Sequence, residues 1–324
     1  MKIIIILLSI FFIFSGCENN NKISLALDWY PNSNHAGIYS ALEEGYFDEE
    51  NLNIEIYTPS DPTAIISSVA SGRDEFGLSY APDILQAQSV GLEIVSVLSI
   101  AQHPLNSIMT LRERKINSPK DLEGLKIGYP GIPSNKAMLE TVLNSEGLTI
   151  DDVEILDVGF ELVRALISGS VDAIIGAYWT HESIVMELQG FEIDVMRLEE
   201  WGVPDYYELV LIVNKDFLVN NDSEVEKMIS AFSKGYLHAI DHPEDSINSI
   251  IKIAGKEIVE EDVEQKGIKL LIPIWSDSIK FGYQDLNKWE ETYNWMKENH
   301  FLENDFNIKD FIYTKYSNQS LFLG

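Results

Sequence analysis

From Ile23 onward, short apolar runs alternate with longer stretches in which apolar residues recur at helical spacing. That rhythm predicts an α/β protein with mainly parallel sheets. Compact runs at 23–27, 52–57, 76–79 and 94–100 predict strands with helices between them. The punctuation agrees with this reading. Asp61-Pro62 has the form of an N-cap followed by an N1 proline, and Gly45, Gly72 and Gly91 stand where helices should stop.

The rhythm then restarts. Strands are expected at 126–129, 153–156, 173–177 and 193–197, with helices near 134–146, 160–167 and 181–188. Residues 71–75 and 168–172 share one pattern, a helix stop, an acid and then a strand, as if two lobes used the same unit. A β-rich run at 209–213 follows Gly202-Val203-Pro204, and from Ser223 the pattern is helical to the end. The chain therefore crosses between lobes twice, near 102–106 and near 201–207, which makes a hinge rather than a simple linker. The expected division is 23–105 with 207–324 for lobe I and 106–206 for lobe II. No repeat of solenoid period and no low-complexity segment interrupts it.

The N-terminus carries a different signal: Lys2, an apolar run over 3–14, then Ser15-Gly16-Cys17. A run of that length is too short to span a bilayer and reads as a signal-peptide core. Small residues before the chain's single cysteine predict a lipoprotein leader over 1–16, with Cys17 lipidated and 17–22 as a tether. A lone cysteine cannot form an internal disulfide, which favours modification over a redox role. The expected location is the extracytoplasmic face of the cell membrane. The formal net charge of −29 argues against nucleic acid as a partner, and it would raise the local concentration of a cationic ligand.

In parallel α/β lobes, ligands sit at the carboxyl ends of strands. Those positions hold Asp28-Trp29 through His35, Ser60-Asp61, Tyr80, Gly131 to Ser134, and Tyr178 to Glu182. Aromatic faces can stack on a planar ring, and a carboxylate can accept hydrogen bonds from an amino edge or pair with a cation. Each residue also has a structural reading. Trp29 reads as a cover for the end of the first strand, Tyr178 and Trp179 as core aromatics, Glu182 as an acid complementing a helix dipole, and His35 as a satisfied structural histidine. The histidines are scattered, and His238 with His242 forms only an i, i+4 pair, so no metal site is expected. No nucleophile elbow, phosphate loop or dinucleotide fingerprint is present, so neither a cofactor nor catalysis is expected.

The run Leu27-Asp28-Trp29-Tyr30-Pro31-Asn32-Ser33-Asn34-His35-Ala36-Gly37-Ile38-Tyr39, followed by Glu44-Gly45-Tyr46-Phe47, resembles the opening of the SsuA/THI5-like family. Gln102 to Ser107, Gly128 to Pro133 and Gly176-Ala177-Tyr178-Trp179 resemble it further. Within that family the chain is most similar to the thiamin-pyrimidine binding proteins of ABC importers. The resemblance implies a type II periplasmic-binding fold, a planar aminopyrimidine ligand, an ABC permease with its ATPase as partners, and a monomer. The strand ends and family motifs together give the candidate ligand-binding residues Asp28, Trp29, Asn34, His35, Tyr39, Ser60, Tyr80, Gly131, Tyr178, Trp179, Glu182 and Tyr207. The same family contains a pyrimidine synthase that uses pyridoxal phosphate and its own histidine. Where that pattern has a lysine this chain has Ser79, where it has a histidine this chain has Asp83, and its cysteine-rich motif corresponds to Val203 through Tyr207. A binding protein for riboflavin, sulfonate or nitrate would keep the fold. Strand ends rich in Trp, Tyr and carboxylates disfavour an oxyanion but do not separate flavin from pyrimidine.

Overall fold

The computed structural model describes residues 22–277 and 280–315; the leader and Cys17 lie outside the described residues. The strands, in chain order, are β1 (Ile23–Ala26), β2 (Ile54–Tyr57), β3 (Phe76–Ser79), β4 (Ile94–Ala101), β5 (Asn106–Leu111), β6 (Lys126–Tyr129), β7 (Glu154–Asp157), β8 (Ala173–Tyr178), β9 (Ile193–Arg197) and β10 (Leu209–Asn214). They form two five-stranded sheets, ordered β2-β1-β3-β10-β4 and β7-β6-β8-β5-β9. In the first sheet β10 runs antiparallel to both β3 and β4; in the second β5 runs antiparallel to both β8 and β9. The other strands of each sheet share one direction. Each opposed strand is the first that the chain makes after crossing from the other sheet, so the two crossings are built into the sheets themselves.

The chain building the first sheet carries helices α1 (Ala36–Glu43), α2 (Tyr46–Glu49), α3 (Ala64–Ala70) and α4 (Ala81–Ser89). That building the second carries α5 (Pro133–Ser145), α6 (Leu162–Ile167) and α7 (Glu182–Leu188). After β10 come α8 (Lys215–Asn220), α9 (Asp222–Asp241), α10 (Pro243–Ala254), α11 (Glu261–Ser276) and α12 (Leu286–Glu298). β10, inside its sheet, reads as a continuous apolar run covered on both faces, and both it and β4, the last strand of the same sheet, are buried at every position. Among the described residues, no helix is long and apolar enough to cross a membrane.

Two expectations need correction. The strand β5 lies where only a crossing was expected, because Asn106, Ser107 and Thr110 interrupt the apolar pattern although all are buried. The helical pattern stops at Glu298; the following segment holds one 3₁₀ turn (Ile308–Asp310), and Ile312 bridges to Ser96 of β4.

The first lobe's core depends on a backbone-to-backbone approach of α1 and α9. A Cβ at Gly235 would lie 2.0 Å from the Gly37 carbonyl oxygen, and one at Gly37 would lie 2.3 Å from the Tyr236 ring. Gly235→Ala should therefore force the helices apart and lower stability by about 1–3 kcal/mol, the usual cost of overpacking. Urea unfolding of the variant measures it, and an unchanged midpoint would show that the helices separate freely.

Candidate functional site

The strand ends of the two sheets face one another across a cleft lined by Asp28, Trp29, Asn32, Tyr80, Asn106, Ile132, Ser134, Asn135, Met138, Gly176, Tyr178, His181, Glu182 and Glu208. The lobes touch around its rim. Trp29 and Tyr30, just after β1, meet Phe160, which precedes α6, at centroid distances of 4.5 and 4.7 Å. His181 Nε2 lies 3.1 Å from Glu264 Oε1 of α11. Ser134 Oγ donates to Asp83 Oδ2 at 2.5 Å. A Cβ at Gly267 of α11 would lie 2.9 Å from the Thr180 carbonyl oxygen. This is a closed arrangement, with the cleft walled on both sides.

Its carboxylates are held by short hydrogen bonds. Asp28 Oδ1 lies 2.9 Å from His35 Nε2, and Oδ2 accepts from the Tyr80 hydroxyl at 3.1 Å. His35 Nδ1 accepts the Asn32 N–H at 3.2 Å, which places the ring proton on Nε2, directed at Asp28. Glu182, at the start of α7, accepts the Tyr178 N–H on Oε2 at 2.7 Å, while Oε1 lies 3.0 Å from His181 Nδ1. Both His181 nitrogens thus face carboxylates. Burial alone would lower this imidazole, but the charges of Glu182 and Glu264 outweigh it and hold it well above its ordinary range.

Glu208 was not foreseen as a site residue. Its Oε2 accepts from the Leu105 N–H at 2.7 Å, the Asn106 N–H at 2.9 Å and the Tyr206 hydroxyl at 2.8 Å. Burial pushes the carboxyl up to about 7, against the lowering effect of those donors. Asn106 in turn donates from Nδ2 to Asn135 Oδ1 at 2.6 Å and accepts the Gly176 N–H at 2.9 Å.

Of the twelve candidate ligand-binding residues, Asp28, Trp29, Tyr80, Tyr178 and Glu182 line the cleft. The other seven do not, and each departure has a physical reason. His35 and Asn34 are buried beneath the wall, His35 orienting Asp28 and Asn34 bonding Asn32. Tyr39 points into the first lobe's core, where burial pushes its phenol up to about 12. Ser60 is exposed on the loop after β2. Gly131 takes φ +82° in the turn before α5, where a Cβ would meet Asp157 at 2.9 Å. Trp179 is held at the first crossing: its indole N–H donates to the Pro104 carbonyl at 3.2 Å and the Arg197 guanidinium covers its ring at 4.3 Å. Tyr207 packs on Trp289 and accepts the Asp285 N–H at 2.7 Å. Among the described residues, no group of three or more His, Cys, Asp or Glu is placed to hold a metal ion.

Two sheets with exchanged strands, closed on a cleft at their carboxyl ends, define a two-lobed solute-binding protein. The chain belongs to the NMT1/THI5-like family, which matches residues 32–246. It is 37% identical over 314 residues to the formylaminopyrimidine-binding protein of Halalkalibacterium halodurans, covering 93% of this chain and 94% of that one. It is 25% identical over 302 residues to the 4-amino-5-hydroxymethyl-2-methylpyrimidine phosphate synthase of Aspergillus parasiticus, covering 89% and 85%. Its fold is similar to that of the alkanesulfonate-binding protein SsuA of Xanthomonas axonopodis pv. citri, with a TM-score of 0.69 at 11% identity over 90% of this chain and 98% of that chain. The relative named as a binding protein is more similar to this chain than the relative named as a synthase. At the two positions where the synthase pattern has a lysine and a histidine, Ser79 closes β3 and Asp83 is engaged by Ser134.

The Glu208 carboxyl gives a pH signature. Folded, it keeps its proton up to about pH 7, against 4.5 for its reference value, so the folded state binds more protons across that window and stability falls as pH rises through it. Glu208→Gln should flatten part of the loss that the wild type shows between roughly pH 5 and pH 8. Urea unfolding at both pH values tests it; equal losses in the two proteins would mean that the buried carboxyl is already ionised at the lower pH.

Proposed function

We propose that this chain is the extracytoplasmic substrate-binding component of an ABC importer and that it captures an aminopyrimidine precursor of thiamin in the interlobe cleft. The wall of the cleft carries this reading. Trp29, Tyr80 and Tyr178 offer aromatic faces, Asp28, Glu182 and Glu208 offer acceptors, and among the described residues neither lysine nor arginine lines the cavity. That chemistry suits a planar ring with an amino edge and suits a sulfonate poorly. The relative named for binding formylaminopyrimidine, which covers nearly the whole chain, supports the same ligand class.

In this proposal the lobes, 23–105 with 207–324 and 106–206, close on the ligand and present one surface to the permease and its ATPase. The segment 1–16 directs export, and Cys17 carries the lipid that keeps the protein at the membrane.

Of the two candidate tryptophans, Trp29 is the proposed stacking residue, because it lines the cleft. Calorimetry with 4-amino-5-hydroxymethyl-2-methylpyrimidine should show saturable binding. Trp29→Ala should weaken it by about 1–3 kcal/mol, the worth of stacking on an aromatic face, and Glu182→Gln by about 1.5–3 kcal/mol, the worth of a charge-assisted bond. Saturation by taurine or riboflavin and not by the pyrimidine would overturn the assignment.

Closure has a separate test in Gly267, whose Cβ would fall 2.9 Å from the Thr180 carbonyl oxygen of the other lobe. Gly267→Val should hold the lobes apart and weaken binding, and it should also displace the Ser33 side chain of its own lobe, which the Cβ would meet at 2.5 Å. Small-angle scattering with ligand reads this directly; compaction equal to that of the wild type would show that α11 yields.

A further inference from the structure

We propose that Asp83 makes this cleft refuse anionic ligands, phosphate esters of the pyrimidine above all, by occupying from inside the protein the helix N-terminus where such an anion would be held. The inference rests on the aminopyrimidine reading and adds the charge class of the ligand to it.

Helix α5 spans 13 residues and opens onto the cleft, with Ile132, Ser134 and Asn135 in its wall. The exposed N–H groups and the dipole of such a terminus ordinarily favour a bound anion. Here its first donors are already spent. Pro133 has no N–H, the Asn135 N–H is bonded to the Ile132 carbonyl at 3.2 Å, and the Ser134 N–H and hydroxyl go to the two oxygens of Asp83 at 3.2 and 2.5 Å. Asp83 reaches across from α4 of the other sheet and is 5% exposed. The anion site is therefore filled by a side chain of the opposite lobe, and closure itself delivers it.

Among the described residues, the rest of the cleft offers an incoming anion no unpaired cation. Asp28, Glu182 and Glu208 line it against a single imidazole, His181, and both nitrogens of that imidazole are taken by Glu182 and Glu264. A phosphate or sulfonate entering the cavity would meet several carboxylates, no free cation and an occupied helix terminus. A neutral or protonated aminopyrimidine brings no negative charge to those carboxylates.

The test compares 4-amino-5-hydroxymethyl-2-methylpyrimidine, its phosphate monoester and inorganic phosphate by calorimetry on the mature chain. Wild type should bind the alcohol more tightly than the ester by about tenfold or more, and inorganic phosphate should not saturate it. Asp83→Ala should move the ester-to-alcohol ratio toward the ester by about tenfold and admit inorganic phosphate, with a smaller change for the alcohol. Asp83→Asn, which keeps the shape and removes the charge, should move the ratio in the same direction if the alanine variant folds poorly. An ester bound as tightly as the alcohol by wild type, or a ratio unmoved in both variants, overturns the proposal. If no pyrimidine binds, the ligand reading fails. The charge filter is then judged on inorganic phosphate alone, and saturation of wild type by that anion would overturn it.

Discussion

One carboxylate oxygen joins the two places where the chain passes between sheets. Glu208 Oε2 collects the N–H groups of Leu105 and Asn106 from the first crossing and the Tyr206 hydroxyl from the second. A buried carboxyl oxygen left without partners costs about 1–3 kcal/mol, and donors from one segment would satisfy it only in part. Holding both crossings to the same oxygen satisfies that acceptor and fixes the start of β5 beside the start of β10. From there the order propagates. Asn106, placed by its own N–H on Glu208, orients Asn135 and the Gly176 N–H, and so sets the second lobe's floor of the cleft.

That dependence explains which parts of the fold can be read along the chain. β3, β6 and β9 stand as short bounded β-rich segments, and their limits are visible residue by residue. β5 is equally buried, but its Ser107 hydroxyl donates to the Ala177 carbonyl and its Asn106 is spent on the partners above. Polar side chains satisfied by distant partners look like a loop in a linear pattern, although in the sheet they are core. The segment after α12 is hidden for a related reason: it is held by a backbone bridge to β4, and periodicity carries no signal for such a contact.

The site divides along the same line. The rule that ligands gather at strand carboxyl ends finds Asp28, Trp29, Tyr80, Tyr178 and Glu182, because each lies within a few residues of a strand end. It does not distinguish Tyr178 from Trp179. Side chains alternate across a strand, so of two adjacent aromatics at the end of β8 one faces the cleft and the other is free to pack on the hinge, as Trp179 does against Pro104 and Arg197. Glu208 escapes the rule because it lies at the start of β10, an opposed strand whose beginning reaches the cleft where its neighbours end. Glu264 escapes it because its helix arrives from the C-terminal part of the chain and touches the site only through His181.

The bond between His181 and Glu264 is where ligand and closure meet. An imidazole facing carboxylates through both nitrogens donates twice only as the imidazolium, and the two carboxylates hold it in that form. Two carboxylates around one imidazolium leave one formal negative charge, and the Tyr178 N–H on Glu182 and the Ser33 N–H on Glu264 offset it only partly. With the lobes apart, water solvates that surplus; with the lobes closed, little water remains to do so. On the proposed reading, the amino edge of an aminopyrimidine bound at Glu182 supplies the missing donors, so the latch between α7 and α11 is most favourable when the cleft is filled. The same electrostatics that selects a hydrogen-bond-donating ring would then couple its arrival to closure.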